Sequence, residues 1–312
     1  MEAMHKFYDD PDTKPPLDPS LYSLQPDELQ FFQRLTGIQD EEALKDHIIV
    51  VQRKAYKLYG YPCIRHFNFL RLKITRLPAY HKALRLLEWH RDPIFLDMGC
   101  CFGNDTRKIV MDGWPAENVL ASDLRQGFWD CGHELFNSTP TTFPVKFVQG
   151  DIFDPSFLST STKPEFEVSE QRFLPTLMSL TPFRQHISAI HASAFFHLFA
   201  EDQQLELARR LAVLLVRKRG SIIFGAHVGR PVKGFREEVS GDNKERILMF
   251  CHSPESWCTM WKGEVFAGLG WNMQVNVGAK LVYYLGVDLE RDDTVATEDG
   301  KFYEMQWSVE IL

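Results

Sequence analysis

Apolar residues recur at three- and four-residue steps from Pro26 to about Trp89: Leu29, Phe32 and Leu35, then Leu44, Ile48, Val51, Ala55 and Leu58. That spacing lines one face of a helix, so two or more helices are predicted, with breaks near Gly60-Tyr61-Pro62 and Leu77-Pro78. Residues 1–26 lack the period and read as an extended arm. At Pro93 the pattern changes to short apolar runs. Residues 94–99, 119–123, 145–151, 186–191 and 221–225 each read as a buried strand, and 105–111, 127–136 and 202–216 as helices. Strand and helix alternating in this way imply βαβ units and a parallel sheet with right-handed crossovers. Residues 275–282 and 305–310 alternate apolar and polar, as antiparallel strands do. The stretch 155–182, rich in Ser, Thr and Pro, reads as a surface insertion or lid. The expected fold is α/β and doubly wound, with residues 90–312 as one domain and residues 1–89 as an arm and helical lid over it.

Charge narrows the partners. The formal net charge of −7 argues against nucleic acid, because phosphate binding rests on clustered Lys and Arg. The longest basic run, Arg217-Lys218-Arg219, follows a predicted helix, where cations complement the helix dipole. No apolar run is long enough to span a membrane, and the polar, Pro-containing start is unlike a signal peptide. Six cysteines show no CxxC spacing, so neither a metal nor a disulfide framework is expected; reduced thiols in the cytoplasm fit best. The 24 phenylalanines suit core packing, with an apolar pocket as the alternative use.

Candidate chemistry sits at the strand ends. Asp97-Met98-Gly99-Cys100-Cys101-Phe102-Gly103 closes the first strand and leads into a helix, which in an open α/β sheet is where ligands bind. Gly99 and Gly103 would let backbone approach a ligand, with Cys100 a small residue between them, and Asp97 would meet an ammonium group. Asp123, with Leu124 beside it, ends the second strand, where a carboxylate accepts both ribose hydroxyls. Asp151 ends the third, placed for an adenine amino group while Ile152 packs on the ring. His191 and Ala192 close the fourth and would lie against the same ligand. An amine, a ribose and an adenine together describe S-adenosyl-L-methionine, with S-adenosyl-L-homocysteine as product and no metal. A nicotinamide dinucleotide is the nearest competitor. It lacks its GxGxxG signature here, and Asp105 stands where a pyrophosphate wants an uncharged helix start. A fold that has lost its ligand remains a third reading.

The segments FLDMGCCFGNDTRKIVMDGWPAENVLASDL, FWDCGHELF and GDIFD resemble class I methyltransferases. With HASAFFHLFAEDQQLELARRLAVLL and FCHSPESW, they are similar more narrowly to fungal methyltransferases of meroterpenoid and related secondary-metabolite pathways. The resemblance covers about residues 45–312. It implies a Rossmann-like, seven-stranded, mostly parallel sheet with an antiparallel C-terminal strand. It also implies O-methylation of a small, aromatic or prenylated molecule, with a carboxyl group, giving a methyl ester, the favoured site. Trp129, Cys131 and the 155–182 insertion depart from the family pattern.

An ionised carboxylate needs no base, whereas a phenol would use one. His197 and His227 are the candidate catalytic histidines near the ends of strands four and five, with His197 also the first choice for substrate contact. Arg53 could pair with a substrate carboxylate, and Tyr56 and Trp257 could line the substrate site. Each has a plainer reading as a capping, solvated or core residue. A long cover helix leaves room for a homodimer, and a non-catalytic scaffold of the same fold is the rival from another class.

Overall fold

The computed structural model describes residues 14–160, 177–240, 245–283 and 302–312. The start of the expected arm and residues 161–176 of the expected insertion lie outside them. Helix α1 (Pro26–Thr36) begins where Glu28 reaches back to accept the Gln25 amide at 2.9 Å, and it stops at Gly37 in the left-handed region. Helix α2 (Glu41–Leu58) is capped by Asp40, whose Oδ1 accepts the Ala43 amide at 2.8 Å. The short α3 (Pro62–Arg65) and a loop lead to α4 (Tyr80–Trp89).

The sheet follows. In chain order come β1 (Ile94–Met98), α5 (Asn104–Met111), β2 (Val119–Asp123), α6 (Gln126–Leu135), β3 (Lys146–Gln149), β4 (Ile187–His191), α7 (Glu201–Leu214) and β5 (Ile222–Gly229). Then come β6 (Gly234–Ser240), β7 (Glu245–Cys251), α8 (Pro254–Thr259), β8 (Val275–Tyr283) and β9 (Tyr303–Ile311). The order across the sheet is β3-β2-β1-β4-β5-β9-β8, with β9 antiparallel to both neighbours. This is the expected seven-stranded, doubly wound sheet. Its order reverses between β1 and β4, and the carboxyl ends there open a crevice. A separate antiparallel hairpin, β6 with β7, was not expected. Adjacent Glu237 and Glu238 and the unbroken apolar run Ile247-Leu248-Met249-Phe250-Cys251 conceal the two-residue alternation that marks such strands.

Both sheet faces are covered. One carries Leu207 and Leu211 of α7 against Ile190, Ile223 and Val309. The other carries Tyr80, Ala83 and Leu86 of α4 against Phe95, Ala189 and Phe224. Residues 1–89 therefore supply a sheet-facing helix as well as the cover. The cover is a core of its own, in which Phe32, Leu44, Ile48 and Ala55 pack on Phe102, Phe128, Leu135 and Phe136 beside the crevice. A buried ion cluster anchors the loop before α4. Glu28, fully buried, accepts Arg71 Nη1 at 2.7 Å and Arg76 Nη2 at 2.9 Å.

Candidate functional site

The turn after β1 takes its shape from three left-handed residues, Gly99, Cys101 and Gly103, at φ +72°, +51° and +71°. Glycine adopts that region freely; Cys101 does so at a cost, in a turn fixed by its neighbours. The Gly99 and Cys100 amides donate to the Ser122 carbonyl at 2.8 and 3.1 Å, and the Cys101 amide to Asp123 Oδ2 at 3.0 Å. The missing side chains leave room for aromatic packing. A Cβ on Gly99 would come within 2.9 Å of Phe195, and one on Gly103 within 2.5 Å of Trp129. A side chain at either position would therefore collide with a ring of the protein. Burial raises the Cys100 and Cys101 thiols well above their ordinary pKa, so both stay protonated.

Asp97 has partners within the protein. It is buried, and both oxygens are engaged: Oδ2 accepts Thr106 Oγ1 at 2.5 Å and Oδ1 accepts His191 Nδ1 at 2.8 Å. It holds His191. The other ring nitrogen, Nε2, lies 2.7 Å from Ser193 Oγ, which also accepts the Ala226 amide at 3.1 Å. Burial works to lower the pKa of His191, but the hydrogen bond and charge of Asp97, with Asp105, outweigh it and the net movement is upward. Beside it Ala192 is fully buried, and its carbonyl fills the place where a side chain on Gly225 would stand.

Asp123 stands at the end of β2, partly exposed. Its two oxygens accept the Cys101 and Arg125 amides at 3.0 Å each, which leaves further lone pairs on both. Leu124 next to it is 48% exposed, an apolar surface at the crevice edge. Asp151 is exposed and accepts the Phe153 amide at 2.9 Å. Ile152 is buried in the main core, and Phe153, partly buried against Phe199, stands nearer the surface.

The β5 side is an aromatic chamber. Phe196, His227, Trp257, Trp261 and Trp307 pack ring against ring, with Phe196–Trp257, His227–Trp257 and Trp257–Trp307 centroids 4.9, 4.8 and 4.9 Å apart. Trp307 Nε1 donates to His227 Nδ1 at 2.8 Å. His227 Nε2, His252 Nε2, Trp257 Nε1 and Trp261 Nε1 are buried with no hydrogen-bond partner among the described residues. Burial lowers all three histidines here: His227 well below its ordinary value, His197 to about 3 and His252 to about 4. They are neutral at pH 7. His197 is partly exposed at the chamber mouth, where its Nδ1 accepts the Val228 amide at 3.4 Å. Trp257 is fully buried at the centre of these rings.

The two cover residues expected at the substrate both lie on α2. Arg53 is exposed. Tyr56 is buried in the cover core, and its hydroxyl donates to the Pro15 carbonyl at 2.6 Å. The cover instead sends Lys73 inward. Its loop is pinned by Glu28 on both sides, and the Ile74 amide donates to Asp105 Oδ1 at 3.1 Å. The field of the Lys73 ammonium reaches Cys63, Cys101, Asp105, His191 and His197. Lys73 lies in no motif, so spacing could not single it out. Ser193 was passed over because its partners are 33 residues away at Ala226 and, through His191, at Asp97, 94 residues from that histidine.

Residues 17–70 match the model of the meroterpenoid methyltransferase N-terminal domain. The O-methyltransferase phiE of Fungal sp. (strain ATCC 74256) is 34% identical over 240 residues, covering 76% of this chain and 70% of its own. The chain belongs to the fungal secondary-metabolite methyltransferases. The Asnovolin E/Chermesin D methyltransferase nvfJ of Aspergillus novofumigatus is 29% identical over 86% of this chain and 82% of its own length. Among solved structures, the S-adenosylmethionine-dependent methyltransferase of Mesorhizobium loti covers 76% of this chain and 99% of its own, at 12% identity and a TM-score of 0.40. No helix among the described residues is long and apolar enough to cross a membrane.

Proposed function

We propose that this methyltransferase uses S-adenosyl-L-methionine to methylate a carboxyl group on a small, aromatic or prenylated molecule. The cofactor fits the residues present. Asp123 keeps lone pairs for two ribose hydroxyls, Leu124 offers apolar surface to a purine, and Asp151 is exposed beside it for an amino group. When bound, the cofactor supplies a methyl carbon on a positive sulfonium, which an ionised oxygen takes as the C–S electron pair leaves on sulfur.

One observation carries the choice of a carboxyl group. His197, partly exposed at the chamber mouth, is held neutral and weakly basic, at about 3. Such a group is a poor base for a phenol, and a carboxylate requires none. The Lys73 charge favours an anion in the same cleft. In this reading His197 touches the methyl acceptor, supported by its partial exposure next to strand β5, and Arg53 and Tyr56 hold no part. The protein's task is positioning, which can lower the barrier by roughly 7–11 kcal/mol.

Two measurements test the proposal. Calorimetry should detect S-adenosylhomocysteine binding to the purified protein. Incubation with isotope-labelled cofactor and a library of prenylated aromatic acids and phenols should yield a product that mild base returns to the starting acid. A base-stable ether would assign a phenol instead.

A further inference from the structure

Hydrogen-bond accounting around Ser193 goes further. The Asp97 carboxylate accepts only, and both its oxygens are engaged, so His191 Nδ1 carries a hydrogen in every protonation state. The state of Nε2, 2.7 Å from Ser193 Oγ, then decides what the serine does. A serine oxygen has two lone pairs and one proton. The Ala226 amide takes one lone pair at 3.1 Å. If His191 is neutral, the serine proton is spent on Nε2. If His191 is cationic, Nε2–H takes the second lone pair and the hydroxyl proton must turn elsewhere. Ser193 is partly exposed, at the carboxyl end of β4, where Ala194 at φ +52° turns the chain so that Phe195 lies on Gly99.

We propose that Ser193 donates its hydroxyl proton to the carboxylate being methylated, with Asp97 and His191 as positioning residues that keep the serine in its donating orientation. The inference rests on the carboxyl reading above. One carboxylate oxygen accepts the serine proton while the other is left to attack. No proton is transferred, so a cationic His191 is no obstacle. The groups that set its charge come from every side: Asp97 on β1 and Asp105 on α5 favour the cation, whereas burial and Lys73 of the cover oppose it, and the ring of Phe224 on β5 lies 5.4 Å away.

The probe is benzoate, with methyl benzoate as its uncharged counterpart, added to the full chain saturated with S-adenosylhomocysteine. The ring nitrogens of isotope-labelled histidine are followed by NMR across neutral pH, and His191 is assigned with a His191→Asn variant. Benzoate should favour the cationic state and so raise the His191 pKa, by about one pH unit for a tenfold preference. Methyl benzoate should leave it in place. Ser193→Ala should abolish the benzoate-dependent rise, and Ser193→Thr, which keeps a hydroxyl, should restore it. Unchanged S-adenosylhomocysteine affinity shows that each variant is folded. An equal rise in Ser193→Ala overturns the inference alone. A wild-type chain that does not bind S-adenosylhomocysteine overturns the cofactor reading and the inference with it.

Discussion

The rim above β1 and β4 and the chamber beside β5 are both polar places in an apolar setting, yet they solve the problem in opposite ways. At the rim, Asp97, Thr106, His191 and Ser193 form one connected chain in which every carboxylate oxygen has a donor. In the chamber, four nitrogens of His227, His252, Trp257 and Trp261 are buried without partners among the described residues. A buried donor left unmade costs roughly 1–3 kcal/mol, so a native fold keeps such groups where packing or a guest compensates. The rim is self-sufficient in hydrogen bonds. The chamber relies on ring packing and on burial strong enough to keep its histidines neutral.

That contrast can be broken most directly at its two centres. Trp257→Ala should destabilise the fold by about 3–5 kcal/mol, the usual cost of emptying a fully buried ring. Asp97→Ala should cost a similar amount for another reason, since it strands His191 and Thr106 in the core. Urea unfolding checks both. If Asp97→Ala costs well under ~1 kcal/mol, the rim is not held together by its charges. Next in size, Asp123→Ala should weaken S-adenosylhomocysteine binding by about 1–3 kcal/mol, read by calorimetry, because a charge-assisted pair is lost.

The smallest effect is the most discriminating, because the two regions should respond to pH with opposite sign. His197 and His252 are depressed to about 3 and about 4 from an ordinary 6.5, so the unfolded chain binds more protons between those values. Their contribution to stability is complete above pH 6.5 and is lost as pH falls toward the folded values. His191 is raised, so its contribution is complete below 6.5 and is lost as pH rises through the folded value. Urea midpoints measured across this range should show the acid limb flatten in His252→Asn and the alkaline limb flatten in His191→Asn. The same limb flattening in both variants would mean the two regions are not electrostatically distinct.

How much of this was legible depended on how local each signal is. The five parallel strands were readable because a buried strand writes its own apolar run. The turn from Asp97 to Gly103 was readable because a left-handed backbone demands glycine within a few residues. The partner of Asp97 was not readable because nothing near it in the chain announces one; its histidine is 94 residues away. Arg53 and Tyr56 sit one turn apart and looked like a pair facing the cleft, but helical spacing fixes a face without saying what lies opposite. Lys73 escaped notice for the reverse reason. It lies in an irregular loop, and only the ion cluster beneath it gives that loop a direction.

That ion cluster has a bearing on how such enzymes can be taken apart. Glu28 on α1 neutralises guanidinium groups on both flanks of Lys73, so trimming the first helix would strand two positive charges and unmoor the loop between them. The amino-terminal segment is therefore no detachable accessory. Chimeras that swap it between relatives should retain activity only if both ends of the clamp travel together.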